Sequence, residues 1–98
     1  MGSLTNIDKP VIITVMGDYS KRIDQAYVQI AAVKSKVARR DLMMILRSTE
    51  AAYTRLDQES VECRRLHRTP ARYNELLNNL EELLNHLEKH ITFASLLN

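Results

Sequence analysis

Apolar residues recur along this chain with two different periods. In "KPVIITVMGDY", residues 9–19, Val11, Ile13 and Val15 fall on alternate positions, the period of an extended segment with one apolar face. From Tyr19 the spacing changes to fours and threes, through Tyr19, Ile23, Ala26, Ile30, Val33 and Val37, which marks an amphipathic helix with one narrow seam. Leu42, Ile45, Thr49, Ala52, Leu56, Cys63 and Leu66 form a second helical seam, polar only at the Glu59/Ser60 step. A third runs through Tyr73, Leu77, Leu80, Leu84, Leu87, Ile91 and Ala94, and Leu76, Leu83 and Leu97 widen it into the broadest apolar face of the chain.

The second stripe lies about 110° around a helix axis from the first, so one straight helix cannot present both to one neighbour. Neither Gly nor Pro occurs from Asp18 to Thr69. Two readings follow: a break near Val37–Leu42, with "ARRD" as the connection and Asp41 capping a new helix, or one continuous helix whose halves meet different partners. The break is preferred, because mean helices run near 12 residues. Asp18 is a natural N-cap for the first helix, and Thr69 followed by Pro70 is a strong start signal for the last.

The expected fold is therefore all-α: an antiparallel three-helix bundle, or a long helical hairpin if the break is absent. Its helices are expected near 18–38, 41–68 and 70–96, and the bundle could be exchanged between two chains. Residues 1–17 are expected as an extended N-terminal arm, and residues 18–98 as the helical bundle domain. A lone strand leaves its backbone groups unpaired. The arm is accordingly expected to lie extended over the helices; pairing as a strand with another chain and an early helical turn are the alternatives.

Composition narrows the function classes. A chain of 98 residues builds one modest core and can draw stability from self-association. Lone Cys63 allows no internal disulfide and fits a reducing, cytoplasmic setting as a small buried hydrophobe. No apolar run approaches the roughly 20 residues of a membrane span, and no secretory signal pattern opens the sequence. "MGSLTN" misses the myristoylation pattern, with Asn6 where Ser or Thr is required. No membrane partner is expected.

Candidate chemistry is sparse. His86 and His90 stand four apart with Glu82 one turn earlier, a spacing that can share a face. The metalloprotease pattern would put Glu directly after the first His, where Leu87 stands, so a solvated polar face is the better reading and no metal is expected. There is no nucleophile elbow, no glycine-rich phosphate loop and no cofactor motif; neither a cofactor nor catalysis is expected.

Charge is polarised along the chain. Ten of the fourteen Lys and Arg lie between Lys34 and Arg72 against five acids, whereas residues 73–98 hold one base and four acids. On a helix, Lys36, Arg40, Arg47 and Arg65 project within about 40° of one another, opposite the Leu42/Ile45/Leu56 seam. Glu50 and Asp57 interrupt the same outer surface, as mixed charge on solvated helices usually does.

The function expected is a non-enzymatic helical interaction or assembly module: an adaptor that binds protein, most simply another copy of itself. Its contacts are expected at Val11, Ile13, Val15, Tyr19, Ile23, Ile30 and Val37. The alternative, from a different class, is a helical dimer that binds double-stranded RNA or DNA through Lys36, Arg39, Arg40, Arg47, Arg55 and Arg65.

Overall fold

A computed structural model of the chain describes residues 9–66 and 71–97, with side chains from Val15 onward. It contains three helices, α1 (Lys9–Ala31), α2 (Lys36–Leu66) and α3 (Ala71–Leu96). They pack as a bundle of 51 × 18 × 18 Å. The four-residue link 32–35 is too short to do anything but reverse the chain, so α1 and α2 are antiparallel. The start of α2 also lies beside the end of α3, making that pair antiparallel too. The α2–α3 contact is the most extensive of the three.

Helix α1 begins at Lys9 and runs through Gly17, so the extended conformation expected for residues 9–17 is not what forms. The physical reason is a second periodicity in the same residues. Met16 stands three before Tyr19 and extends the helical spacing of fours and threes backward, and it is buried. Pro10 sits in the first turn, where its missing N–H costs nothing. Gly17 faces open space, and a glycine there costs only about 1 kcal/mol of helix propensity, too little to end a helix that buries its other face. Asp18, expected as an N-cap, lies inside the helix and is exposed. Residues 1–8 of the expected arm, and the Thr69–Pro70 start signal, lie outside the described residues.

The expected break occurs, but at residues 32–35 rather than at "ARRD". The last turn of α1 tightens through bonds from Ala32 N–H to the Gln29 carbonyl (3.2 Å) and from Val33 N–H to the Ile30 carbonyl (3.0 Å). Ser35 then caps α2. Its hydroxyl accepts from Ala38 N–H at 3.2 Å, and its carbonyl accepts the Arg39 N–H at 2.9 Å. The Arg39 guanidinium donates to the Val33 carbonyl at 2.8 Å and ties the turn together. This resolves the stripe discontinuity: Val33 closes the first seam at 1% exposure, while Val37, beyond the turn, is turned outward at 60%.

The buried faces of α2 and α3 differ in side-chain size. Helix α2 buries small side chains, Thr49, Ala52, Ser60 and Cys63, along with Leu42, Leu46 and Leu56; α3 buries Tyr73, Leu80, Leu84, Leu87 and Ile91. Thr49 and Ser60 are buried without loss because their hydroxyls bond backward along their own helix, to the Ile45 carbonyl (2.9 Å) and the Asp57 carbonyl (2.7 Å). The polar step foreseen at Glu59/Ser60 is thus part of the packed seam. Each buried leucine contributes on the order of 2 kcal/mol through removal of its surface from water.

Helix α1 is held to α3 by a polar clamp. Arg22 donates to Glu81 (2.9 Å), to Asn85 (3.1 Å) and twice to Glu88 (2.8 and 3.1 Å), reaching three residues one turn apart on α3. Its guanidinium lies 5.6 Å from the Tyr19 ring centroid. The Tyr19 hydroxyl bonds the Glu81 carboxylate; burial, and then that bond, push the phenol up to about 12. On the other side, the Tyr53 hydroxyl donates to the Met16 carbonyl at 3.4 Å and links α2 to α1.

The bond from Tyr19, with Arg22 beside it, holds the Glu81 carboxyl below its ordinary range. A carboxylate depressed in the folded state stabilises above its unfolded pKa of about 4.5, and that stabilisation is lost as pH falls through the folded value. Urea unfolding followed from pH 6 down to about 3 should show wild type losing stability more steeply than Glu81→Gln, and parallel slopes would remove the clamp from this account.

Candidate protein interface

The contact residues expected from sequence whose side chains are described fall into three groups. Ile23 and Ile30 are in the core, at 8% and 1% exposure, and present no outer surface. Tyr19 and Val15 are half-buried, Tyr19 against the core and in the Arg22 clamp. Val37 is exposed on the first turn of α2. The side chains of Val11 and Ile13 lie outside the described residues.

What the molecule does present is an apolar groove at one end of the bundle. The first turns of α2 and the last turns of α3 line a cavity of about 360 Å³, formed by Ala38, Leu42, Ile45, Phe93, Ala94 and Leu97. Asp41 and His90 are its polar members. A second hollow continues from it past Ala38, Ala94 and Leu97 to Lys34 and Ser35. On the α2 bank, Val37 and Met44 flank Asp41 one turn to either side, at 60% and 64% exposure. On the α3 bank, Phe93 and Leu97 are 63% and 82% exposed, with Leu96 at 78% beside them.

This site had a faint signature in the sequence. Phe93 and Met44 stand off every stripe, and an off-stripe Phe beside an off-stripe Leu96 is a surface apolar cluster once the helix is placed. Leu97 was expected to widen the core of α3; it lies past the last full turn of α3 and beyond the start of α2, with no facing helix to cover it.

The basic residues keep the arrangement expected of them on α2. Lys36, Arg40, Arg47 and Arg55 are exposed, and among the described residues none has a carboxylate within ion-pair distance. Arg65 differs: it forms a two-pronged pair with Glu62 (2.8 and 3.0 Å), which draws the Glu62 carboxyl down. Arg39 is half-buried and spends its guanidinium on Val33.

The remaining candidates are quickly placed. The His86 and His90 rings meet edge to face with centroids 4.2 Å apart, and among the described residues no three of His, Cys, Asp and Glu are grouped to hold a metal ion. Cys63 is a buried free thiol pushed up by burial, packed against the α3 side of the core rather than exposed for chemistry. No described helix is long and apolar enough to cross a membrane. The fold and the groove define a helical three-helix bundle with an open apolar end. The chain matches no protein-family model, no curated protein and no solved structure.

Truncation separates the two kinds of expected contact residue. In urea unfolding at a concentration low enough to keep the chain monomeric, Ile30→Ala should cost about 3 kcal/mol, whereas Val37→Ala should change stability by less than about 0.5 kcal/mol. A comparable loss at both positions would mean that Val37 is covered within the monomer.

Proposed function

We propose that this chain is a non-enzymatic helical assembly module that binds a second copy of itself through the groove at the α2 start and α3 end. The observation that carries the reading is the exposed apolar surface there. Val37, Met44, Phe93 and Leu97 together leave on the order of 500 Å² in water, near the top of the ~300–600 Å² seen for the largest patch on a typical monomer. The two banks also suit a closed contact. Because α2 and α3 are antiparallel, a two-fold axis along the bundle sets Val37 and Met44 of one copy opposite Leu97 and Phe93 of the other, and the reciprocal contact forms at the same time. Asp41 and His90 at the rim bring complementary chemistry to that pairing. The free buried thiol of Cys63 supports a reducing, cytoplasmic setting for the assembly.

Light scattering on the purified chain at about 500 mM salt should give twice the monomer mass of 11.3 kDa. The double variant Phe93→Glu/Leu97→Glu should be monomeric with an unchanged helical circular-dichroism spectrum. Wild type that stays monomeric at about 100 μM would remove the proposal.

A second reading is favoured by one observation, the four unpaired cations Lys36, Arg40, Arg47 and Arg55 along the outer side of α2. In this reading the module binds double-stranded RNA or DNA through that face, contacting backbone phosphates. With about four phosphates neutralised, affinity should fall roughly a hundredfold between about 50 and 200 mM salt. A gel-shift series with duplex RNA at those two concentrations tests it, and no shift at the lower one eliminates it.

A further inference from the structure

Two outward stripes of opposite charge share one period. On α2, Arg40, Arg47, Thr54 and Val61 follow at seven-residue intervals, and all are exposed. On α3, Glu75, Glu82, Lys89 and Leu96 do the same. Seven residues advance a helix by about 10.5 Å and fall only about 20° short of two turns, so each set keeps to one face. Among the described residues, Arg40 and Arg47 have no carboxylate within ion-pair distance, and Glu75 and Glu82 have no base. The stripes cannot meet within one chain, because α2 and α3 bury their other faces against each other and run in opposite directions.

We propose that the α2 stripe of one copy docks in parallel on the α3 stripe of another, aligning Arg40 with Glu75, Arg47 with Glu82 and Val61 with Leu96. The register carries the inference. One constant offset joins both charge pairs and also brings together two of the large exposed apolar side chains, Val61 at 49% and Leu96 at 78%. An antiparallel alignment would match the same charges, but it would leave Val61 and Leu96 without partners. The parallel register also avoids like charges. Thr54 faces Lys89, and Glu50 and Asp57, the acids that interrupt the basic surface, fall level with Asn85 and Thr92. A seven-residue repeat shared by both helices suits a parallel pair crossing at about 20°.

This contact uses two different surfaces on separate helices, so one contact leaves one of each surface unused. A copy whose α2 is engaged still offers α3, each neighbour is inverted relative to the last, and the association grows into an open chain. The occupant's identity rests on the self-association reading, while the contact is independent of the groove. The groove is apolar and tolerates salt; two exposed ion pairs are screened by it.

Sedimentation velocity on the full chain at about 20 and 500 mM salt reads both contacts separately. At low salt the mass should exceed that of a dimer and rise with concentration, and at high salt it should settle to the dimer. Arg40→Glu/Arg47→Glu, and separately Glu75→Lys/Glu82→Lys, should each weaken growth roughly tenfold or more, with helicity unchanged. Mixing the two variants should restore growth, since every mixed contact is again complementary. Species no larger than a dimer at low salt would overturn the stripe contact and leave the groove intact. So would growth lost in the arginine variant but kept in the glutamate variant, which would assign the basic face to another polyanion, duplex RNA included. Monomers at high salt with chains at low salt would instead remove the groove and keep the stripes.

Discussion

The bundle depends on the packing of α2 against α3, its most extensive helix pair, in which small and large side chains are buried together. Thr49, Ala52, Ser60 and Cys63 are buried on α2 together with Leu46 and Leu56, and Leu80, Leu84 and Leu87 are fully buried on α3. Two of the four small residues are polar, and they are tolerated because each hydroxyl finds a carbonyl on its own helix. A large residue at any of them would have to push the helices apart, a cost interiors at crystal-like density pass on to their neighbours. Helix α1 then closes the third side, its seam completing the core and its Arg22 fixing its height against α3.

The same close packing explains where the surface is left open. At the end of the bundle where α1 finishes, α2 starts and α3 finishes, Phe93 and Leu97 are still largely exposed. A groove arises there between the α2 start and the α3 end. Its floor of Ala38 and Ala94 is low because small residues sit where α2 and α3 converge. Arg22 shows the opposite solution: a cation at the edge of the core, neutralised by two carboxylates and an amide on α3 rather than left to water. Cations on the outer side of α2 have no such neighbours, which is why charge becomes available there.

Helix content, the number of helices and the third seam were all legible from residue spacing, since burial on a helix imposes a period that few other constraints imitate. The N-terminal segment was not. Val11, Ile13 and Val15 fit an alternating pattern while Met16 and Tyr19 fit a helical one, and short apolar runs satisfy both periods. The turn at 32–35 was placed a few residues late because Asp41 and Ser35 are both good caps, and only the position of α1 against α2 selects between them. Of the contact residues foreseen, Ile23 and Ile30 belonged to the core, because a seam marks what is buried without saying whether the cover comes from the same chain or another. Phe93 and Met44 were passed over for the converse reason: they stand off the stripes.

The amino-acid sequence alone determined that this chain is helical, that three apolar seams must be covered, and that its positive charge gathers on the middle helix. These are properties of nearest neighbours along a helix, and period and composition suffice to state them. Tertiary structure decided which seams cover one another, which cations are neutralised, and which apolar side chains are left facing water. Those outcomes depend on helix ends and register, and both are settled by contacts between residues far apart in the chain.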